Sequence, residues 1–217
     1  MQLYFSPGAC SLASHITALE AGLDIKLERA DTKTKKLVDG SDYFAVNSKG
    51  AVPALKLDDG QVLTEGVAIM QYLADKKPES KLAPAHGTLE RYRLQEWLNY
   101  ITSEVHKSYS PLWNPTLDAK VKEYAQANLE KKLDWINGQL GSKKYLTGDN
   151  FTVADAYLFT VINWSFFLGM NLDKWPTLKE FHARRCPSEG AGSADRRGTQ
   201  QESCVVPSPA VRGEDLE

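Results

Sequence analysis

Cys10 is the residue of this sequence that is best placed to do chemistry. It follows a short alternating run, residues 3–5, and precedes an apolar-periodic segment that contains Leu12, Ile16 and Leu19. This order predicts a strand, a tight turn and a helix that starts near the cysteine. The free N–H groups and the dipole of a helix start can lower a thiol pKa from about 8.5 toward neutral pH, which gives a nucleophile or a redox centre. The alternative is a small buried apolar residue.

Cys10 has no second cysteine at redox-pair spacing. Three residues later the chain has Ala13, and the other two of the three cysteines are Cys186 and Cys204. An odd number of distant cysteines indicates neither a disulfide framework nor a zinc site. Any disulfide that Cys10 forms must therefore join it to the thiol of another molecule. This reasoning points to a small thiol cosubstrate.

Glutathione is a small thiol peptide that suits three other features of the chain. The turn Thr64-Glu65-Gly66 offers a carboxylate for the γ-glutamyl ammonium and helix-start N–H groups for the γ-glutamyl carboxylate. The backbone of Val52, which precedes Pro53, can pair with the peptide like an added strand, and Lys35 can meet the glycyl carboxylate. Taken singly, Glu65 is equally a favourable first-turn acid and Val52 an ordinary core residue. It is their agreement that supports glutathione.

A polar stripe in the second half of the chain is a candidate for the other wall of this site. Asn99, Ser103 and His106 fall at i, i+4 and i+7 on one predicted helix. Such a stripe is often a solvated face. If it faces the first part of the chain instead, it lines a cleft with Cys10.

The elements that must position these residues begin with a thioredoxin-like pattern. Alternation at Ile25 and Leu27 follows the first helix, so the chain opens with a βαβ unit and a parallel strand pair. Two short strands, within 52–57 and 61–64, then form a hairpin, and a short helix follows them. The order βαβ then ββα predicts a thioredoxin-like α/β domain over residues 1–77.

Beyond a linker near 77–87, the sequence predicts only helices. Apolar residues recur at helical spacing over about 88–108 and again over 129–140. Thr152 and Asp155 have the spacing of a capping box, and the helix after them is apolar nearly all round, which is typical of the central helix of a bundle. Residues 88–184 are therefore predicted to form an all-α helical bundle domain.

The last segment, residues 185–217, differs in composition from the rest of the chain. It contains no aromatic residue, and Gly, Pro and Ser recur in it without a period. This composition is typical of a disordered tail.

Composition and charge narrow the class of protein. The formal net charge of −2 and the lack of a basic run argue against nucleic acid as a partner. No segment approaches the ~20 apolar residues of a membrane span, and the N-terminus lacks the pattern of a secretion signal. The four histidines form no metal-ligand spacing with a cysteine. We therefore expect a soluble cytoplasmic protein with no metal and no membrane partner.

Residues 1–184 resemble the bacterial glutathione S-transferases of the beta class. The segments that carry the resemblance are PGACSLA at 7–13, GAVPAL at 50–55, LTEG at 63–66 and FTVADAY at 151–157. They occur in the family's order and at its spacing. Members of the family continue into a final amphipathic helix, so the tail after residue 184 departs from the pattern. It is either genuine or the product of a shifted reading frame.

The resemblance implies a homodimer that conjugates glutathione to apolar electrophiles such as halogenated aromatics, with residues 88–184 as the substrate-binding domain. It also implies a cis bond before Pro53, a Cys10 that can hold glutathione as a mixed disulfide, a His106 close to the sulfur, and a Glu104 that reaches toward the second subunit. Many members have Ser where this chain has Gly66, so one hydroxyl contact is lost while the helix-start N–H remains. The implied glutathione-binding residues are Cys10, Lys35, Val52, Pro53, Glu65, Gly66, Asn99, Ser103, Glu104, Val105 and His106.

Three functions are compatible with these observations, and the first is our prediction. It is a detoxifying glutathione transferase that lowers the pKa of the glutathione thiol and holds the thiolate for attack on an electrophilic carbon, with Cys10 and His106 at the sulfur. The second is a thiol–disulfide oxidoreductase in which Cys10 cycles through a glutathione adduct. The third is a non-catalytic binding protein for apolar compounds, lined by Trp113, Trp164 and Phe167.

Overall fold

The computed structural model of the protein describes residues 1–184. The predictions for residues 185–217, a disordered tail outside the family pattern, lie outside the described residues. Within the described range, a mixed sheet with two flanking helices comes first and a set of packed helices follows. This arrangement confirms the predicted fold class, a thioredoxin-like α/β part followed by an all-helical part. The domain boundaries at 77 and 88 stay predictions.

The sheet has five strands in the order β3-β2-β1-β4-β5. β1 (Gln2–Phe5) pairs in parallel with β2 (Lys26–Asp31) and antiparallel with β4 (Ala54–Lys56). β4 pairs antiparallel with β5 (Val62–Thr64), and β2 pairs antiparallel with β3 (Lys36–Leu37). The sequence did not predict β3, because two residues are too few to show alternation. It also placed the second strand about two residues too early.

Two helices lie against this sheet and carry the predicted glutathione-binding turns at their starts. α1 spans Ser11–Glu20 and α2 spans Gly66–Asp75, and they pack against each other. Their buried faces meet the sheet through Leu3 and Leu55, which have no exposed surface. β1 and β5 lie on either side of β4 and both run antiparallel to it, so they point in the same direction. Because α1 follows β1 and α2 follows β5, residues 10 and 65–66 come to the same end of the sheet.

The predicted helix over 88–108 is interrupted in the structure. α3 (Leu89–Tyr100) ends where a π-helical segment, Ile101–His106, begins, and α4 (Lys107–Trp113) continues from it. Asn99, Ser103 and His106 therefore do not lie on one face in the way that an α-helix would place them, because a π-helix has more residues per turn than an α-helix. Such segments occur often at functional sites, and this one carries four of the predicted site residues.

The rest of the second part packs around one buried helix. α5 (Ala119–Leu140) packs on α4, and α7 (Pro176–Ala183) packs on α5 and on α6 (Val153–Phe167). Residues 153–165 of α6 are all buried. α6 also contacts α1, so the central helix of the second part lies directly against the helix that begins after Cys10.

A capping box starts α6, as predicted, and the structure extends it. The Asp155 carboxylate accepts hydrogen bonds from the Thr152 N–H at 2.8 Å and the Thr152 hydroxyl at 2.7 Å. It also accepts one from the N–H of Leu146 at 2.8 Å, which ties the preceding loop to the helix start. These donors favour the charged form, but burial outweighs them and raises the pKa of Asp155 to about 6.

An ion pair between a buried arginine and a half-buried aspartate joins the two parts of the fold. Arg91 on α3 donates two hydrogen bonds of 2.8 Å to the carboxylate of Asp75 at the end of α2, and a third, of 2.9 Å, to the carbonyl of Pro84 in the linker. The Arg91 side chain is only 3% exposed, so its charge is compensated where water cannot reach it. This pair fixes α2 relative to α3.

The buried histidine of α7 gives a prediction about stability at low pH. His182 stacks on Phe159 with a ring distance of 4.8 Å, and its Nε2 has no hydrogen-bond partner in the described part of the chain. Burial lowers the pKa of His182 to about 4. Because the unfolded chain takes up this proton near pH 6.5 and the folded chain does not, stability is lost as pH falls from about 6.5 toward 4.

We expect His182→Phe to reduce this pH dependence. Between pH 7.5 and 5.0 the free energy of unfolding of the wild type should fall by about 2 kcal/mol more than that of the variant. Urea unfolding followed by circular dichroism at both pH values measures the difference, in which the contributions of other titrating groups cancel. An equal loss in the two proteins would contradict the assignment.

Candidate active site

Cys10 occupies the N-cap position of α1. Its thiol donates a hydrogen bond to the carbonyl of Val52, at a sulfur–oxygen distance of 3.2 Å. Burial raises the pKa of Cys10 to about 11, although backbone N–H groups at the helix start act in the opposite direction. The sequence left two interpretations of Cys10 open, a thiol with a lowered pKa and a small buried residue, and the raised pKa agrees with the second. The loss of solvation around the sulfur exceeds the effect of the helix start.

The loop that presents Val52 is held in place by side chains from the first part of the chain. The Val52–Pro53 peptide bond is cis, as the resemblance implies. Tyr43 and Asn47 both donate to the carbonyl of Ala51, at 2.8 and 2.7 Å. Val52 and Pro53 are themselves buried, so their backbone has a fixed position beside Cys10.

Lys35 lies against the same loop. Its ammonium donates to the carbonyl of Gly50 at 2.9 Å. Gly50 has a φ of +61°, and a Cβ atom there would lie 2.7 Å from the ring of Phe44. A glycine is therefore required at this position, and it lets the lysine reach the segment that leads to Val52.

The predicted turn at the start of α2 has the expected position and an unpredicted partner. Glu65 has a φ of +70° and sits at the N-cap, with Gly66 as the first helical residue. The ammonium of Lys49 lies 2.5 Å from the Glu65 carboxylate and 3.0 Å from the hydroxyl of Thr64. A Cβ atom on Gly66 would meet Pro53 at an ordinary 3.6 Å, so a larger residue fits beside the cis bond.

The π-helical segment places its residues in different surroundings. Val105 is fully buried, whereas Asn99 and Ser103 are exposed, and the Ser103 hydroxyl donates to the carbonyl of Asn99 at 3.0 Å. The Glu104 carboxylate lies 3.0 Å from the ammonium of Lys132 in the same chain. Among the described residues, no hydrogen bond joins these side chains to Cys10 or to Glu65.

His106, the last residue of the segment, is bound to α6. Its Nδ1 lies 2.6 Å from the phenol oxygen of Tyr157. Its ring meets that of Trp164 nearly at a right angle, with the centroids 4.8 Å apart. Burial and, to a lesser degree, the charge of Lys107 lower the pKa of His106 to about 4, so the imidazole is neutral at physiological pH.

Trp164 connects the histidine to the cysteine turn. Its indole N–H donates to the carbonyl of Gly8 at 2.8 Å, two residues before Cys10. Burial is the main cause that raises the pKa of Tyr157, next to His106, and the nearby Glu65 carboxylate and, once it is ionised at high pH, the Cys10 thiol raise it further. The structure therefore brings Cys10, Val52, Glu65 and His106 into one region, around α6.

Sequence reasoning missed the contacts made by α6 and by Lys49. Tyr157 lies inside a segment that carried the family resemblance, yet its sequence position gave no sign of its partner. For Trp164 the sequence indicates only a lining for apolar ligands. In the structure Trp164 is buried, whereas Trp113 and Phe167 are more than two-fifths exposed.

Other kinds of site receive little support in the described range. Residues 1–184 contain no group of three or more metal-ligating side chains that could hold an ion. No helix described in this range has both the length and the apolar character needed to cross a membrane. A cavity of about 650 Å³ lies between the linker, the first turns of α3 and the loop before α6, and none of the predicted site residues lines it.

Comparison with family models covers most of the chain. Residues 8–76 match the glutathione S-transferase N-terminal domain, and residues 95–189 match the glutathione S-transferase C-terminal domain. Among curated proteins, glutathione S-transferase GstA of Escherichia coli O157:H7 is 50% identical over 184 residues, which cover 85% of this chain and 92% of GstA. Glutathione S-transferase GST-4.5 of Xanthomonas campestris is 33% identical, with 85% and 92% covered.

The solved structures that this chain resembles are also glutathione S-transferases. A ternary complex of BphK, a bacterial GST, is 50% identical with a TM-score of 0.83, and the match covers 85% of this chain and 92% of that one. A sphingomonad glutathione S-transferase complexed with glutathione is 40% identical with a TM-score of 0.83, covering 88% and 96%. The bacterial beta-class glutathione S-transferase of Sphingomonas chungbukensis is 41% identical with a TM-score of 0.84, covering 88% and 96%.

Proposed function

The chain belongs to the glutathione S-transferase family, and we propose that it conjugates glutathione to apolar electrophiles at the site formed by Cys10, Val52, Glu65 and His106. The observation that carries the proposal is the position of the Cys10 thiol. It is protonated at neutral pH, donates to the Val52 carbonyl and lies in a turn that Trp164 ties to the ring of His106. A sulfur bound there would meet neutral hydrogen-bond donors.

The first part of the chain supplies the contacts for the peptide. Glu65 would bind the γ-glutamyl ammonium, and the N–H at Gly66 would bind the γ-glutamyl carboxylate at the start of α2. The backbone of Val52, held by the cis bond to Pro53, would pair with the cysteinyl unit of glutathione. Lys35, now on the Gly50 carbonyl, would meet the glycyl carboxylate.

The second part would form the other wall of the cleft. Asn99, Ser103, Val105 and His106 lie on α3 or the π-helical segment, which follows it directly. We keep the prediction that Glu104 reaches toward a second subunit, although its carboxylate pairs with Lys132 within this chain. A homodimer, a cytoplasmic location, a role in detoxification and domains over 1–77 and 88–184 belong to the same proposal.

The chemical step is a nucleophilic substitution by the glutathione thiolate. The bound thiol loses its proton, and the sulfur attacks the carbon of a halogenated aromatic compound. The carbon–sulfur bond forms, and the carbon–halogen bond breaks with its electron pair leaving on the halide. The protein contributes by placing the thiolate and stabilising its charge. Because Cys10 keeps its proton, its S–H group would turn from the Val52 carbonyl to the thiolate and act as a hydrogen-bond donor and not as the nucleophile.

The thiol–disulfide alternative needs the opposite protonation state of Cys10. Exchange requires a thiolate, and a pKa of about 11 leaves little thiolate at pH 7. The non-catalytic alternative is weakened by the burial of Trp164 and the exposure of its two proposed companions. The transferase reaction is therefore the function that the geometry supports best.

Cys10→Ala separates the first two functions. Conjugation of glutathione to 1-chloro-2,4-dinitrobenzene should fall by about tenfold or less, because the S–H group is a weak donor and supplies only one hydrogen bond to the thiolate. Turnover of glutathione mixed disulfides should be lost completely, because the variant has no thiol at the site. Both rates are measured by absorbance on the same protein preparation, with Cys10→Ser as the control that keeps a donor.

Two results would contradict the proposal. Loss of conjugation by more than a thousandfold in Cys10→Ala, with Cys10→Ser equally inactive, would make the cysteine the nucleophile. Tight glutathione binding without turnover of any electrophile or disulfide by the wild type would support the non-catalytic binding protein instead.

A further inference from the structure

The hydrogen bond between His106 and Tyr157 has a role that the proposed reaction does not yet use. The Nδ1 and phenol oxygen atoms are 2.6 Å apart, and the two residues are 51 positions apart in the chain. Tyr157 lies on the buried helix α6 and is only 5% exposed. With the Tyr157 oxygen on Nδ1 and the Trp164 ring packed edge to face with the imidazole at a centroid distance of 4.8 Å, the imidazole has a fixed orientation.

Both partners are neutral at physiological pH. Burial raises the pKa of the Tyr157 phenol and lowers that of His106 to about 4. The charged or titratable groups that act on this pair are Lys107, next to His106, and Cys10 and Glu65, which act on Tyr157. A single hydrogen atom therefore lies between Nδ1 and the phenol oxygen, and it belongs to one or the other.

The length of the bond favours the phenol as the donor. Hydrogen bonds from N–H to oxygen are usually about 2.7–3.2 Å long, whereas those from O–H extend to about 2.5 Å. A phenol is also the stronger acid of the two, and an unprotonated imidazole nitrogen is the stronger acceptor. The distance of 2.6 Å and the relative acidity of the two groups both indicate that the phenol is the donor.

We propose that Tyr157 is a positioning residue whose hydroxyl donates to Nδ1 of His106 and thereby keeps the second ring proton on Nε2. His106 is then a neutral hydrogen-bond donor toward the sulfur of glutathione and not a base for its thiol. The proton of the thiol leaves to solvent, and the Nε2–H group stabilises the thiolate that remains. This inference rests on the proposed place of His106 beside the sulfur.

One competing arrangement uses the neighbouring Thr102. Its hydroxyl proton is donated to the carbonyl of Leu98 at 2.8 Å, and its oxygen interacts with the phenol of Tyr157. If Tyr157 donated to Thr102, it would accept from an Nδ1–H group, and Nε2 would be a bare base. The two arrangements differ in which ring nitrogen carries the proton.

Nitrogen NMR of the full chain distinguishes these tautomers without measuring activity. The protein is labelled with ¹⁵N-histidine, and the resonances of His106 among the four histidines are identified by their loss in His106→Phe. Two-bond proton–nitrogen correlation spectra at pH 7 should show the proton on Nε2. In Tyr157→Phe we expect a mixture of the two tautomers. A wild type with its proton on Nδ1 would overturn the proposal.

Kinetics then test whether the bond matters for the reaction, and Tyr109→Phe is the matched control. Tyr109 is fully buried, packs on the same Trp164 ring at 5.6 Å and hydrogen-bonds Ser165 at 2.7 Å, but it has no bond to His106. Tyr157→Phe should lower kcat by about fivefold to tenfold, the effect of one neutral hydrogen bond. The KM for glutathione should stay within about twofold of the wild type.

The pH dependence of kcat supplies the readout that a purely structural role would not move. The acid limb of the kcat profile reports the pKa of the bound glutathione thiol. Loss of the Nε2–H donor should shift this limb to higher pH by about 0.5 to 1 pH unit in Tyr157→Phe and leave it unchanged in Tyr109→Phe. Equal changes in both variants would overturn the positioning role. A wild type with Nε2–H but no conjugation would instead reject the proposed function and leave the hydrogen-bond assignment standing.

Discussion

Glu65→Gln should raise the KM for glutathione about thirtyfold and leave kcat within about twofold of the wild type. The carboxylate is the proposed partner of the γ-glutamyl ammonium, and a hydrogen bond between charged groups contributes about 1.5–3 kcal/mol. Gln keeps the size of the side chain, so the positive φ of 70° at this N-cap is equally strained in both proteins. Steady-state kinetics with varied glutathione, together with calorimetric titration of glutathione, measure the effect.

Lys49 should add to the loss of glutathione affinity in Glu65→Gln, because its ammonium lies 2.5 Å from the Glu65 carboxylate in the wild type. In Glu65→Gln the lysine would face the ligand ammonium without a compensating charge. Lys49→Met is therefore the matched control, since it removes the lysine and leaves the carboxylate free. Both groups are more than half exposed, so we expect Lys49→Met to change the KM by no more than about twofold. A KM that is unchanged in Glu65→Gln would place the ammonium of glutathione elsewhere.

Asp155→Ala should lower the free energy of unfolding by about 3 kcal/mol. The substitution leaves the buried N–H groups of Leu146 and Thr152 without the acceptor that they share in the native structure. Each unsatisfied donor costs about 1–3 kcal/mol. At pH 7.5 the wild type also carries the cost of a buried charge, because the pKa of Asp155 is raised to about 6. Removal of that charge offsets part of the loss.

Thr152→Ala gives the reference for this measurement. It removes one hydroxyl from the capping box and leaves both N–H bonds to Asp155 in place, so a loss of about 1 kcal/mol is expected. Urea unfolding at pH 7.5, followed by circular dichroism, compares the two variants with the wild type. If Asp155→Ala is no less stable than Thr152→Ala, the link from Asp155 to Leu146 contributes nothing.

Much of the fold could be predicted from the sequence, because its elements have clear periods. Alternation marked the strands, helical spacing marked the helices, and the Thr152–Asp155 spacing marked the start of α6. For two of the elements that were not predicted, the reason is definite. β3 is two residues long, and the π-helical turn at 101–106 breaks a pattern whose apolar residues fit an α-helix equally well.

The candidate site was predicted less completely than the fold. The position of Cys10 before α1 and of Glu65-Gly66 at the start of α2 follows from local patterns, and the structure has both. The pairing of Glu65 with Lys49 and the bond from His106 to Tyr157 were not predicted. Neither contact has a sequence signature, since a lysine in a loop and a tyrosine in a buried helix are compatible with many partners.

The sequence by itself determined the order of the elements, the family and the isolation of Cys10 from any second cysteine at redox spacing. Each of these depends on residues only a few positions apart, or on a match of whole segments. Only the tertiary structure decided the chemistry of the groups at the site. The contact from Cys10 to Val52 spans 42 positions and that from Trp164 to Gly8 spans 156. Protonation follows solvation, which depends on every element packed around a group. The helix start that favours a thiolate at Cys10 was therefore visible in the sequence, but the burial that outweighs it was not.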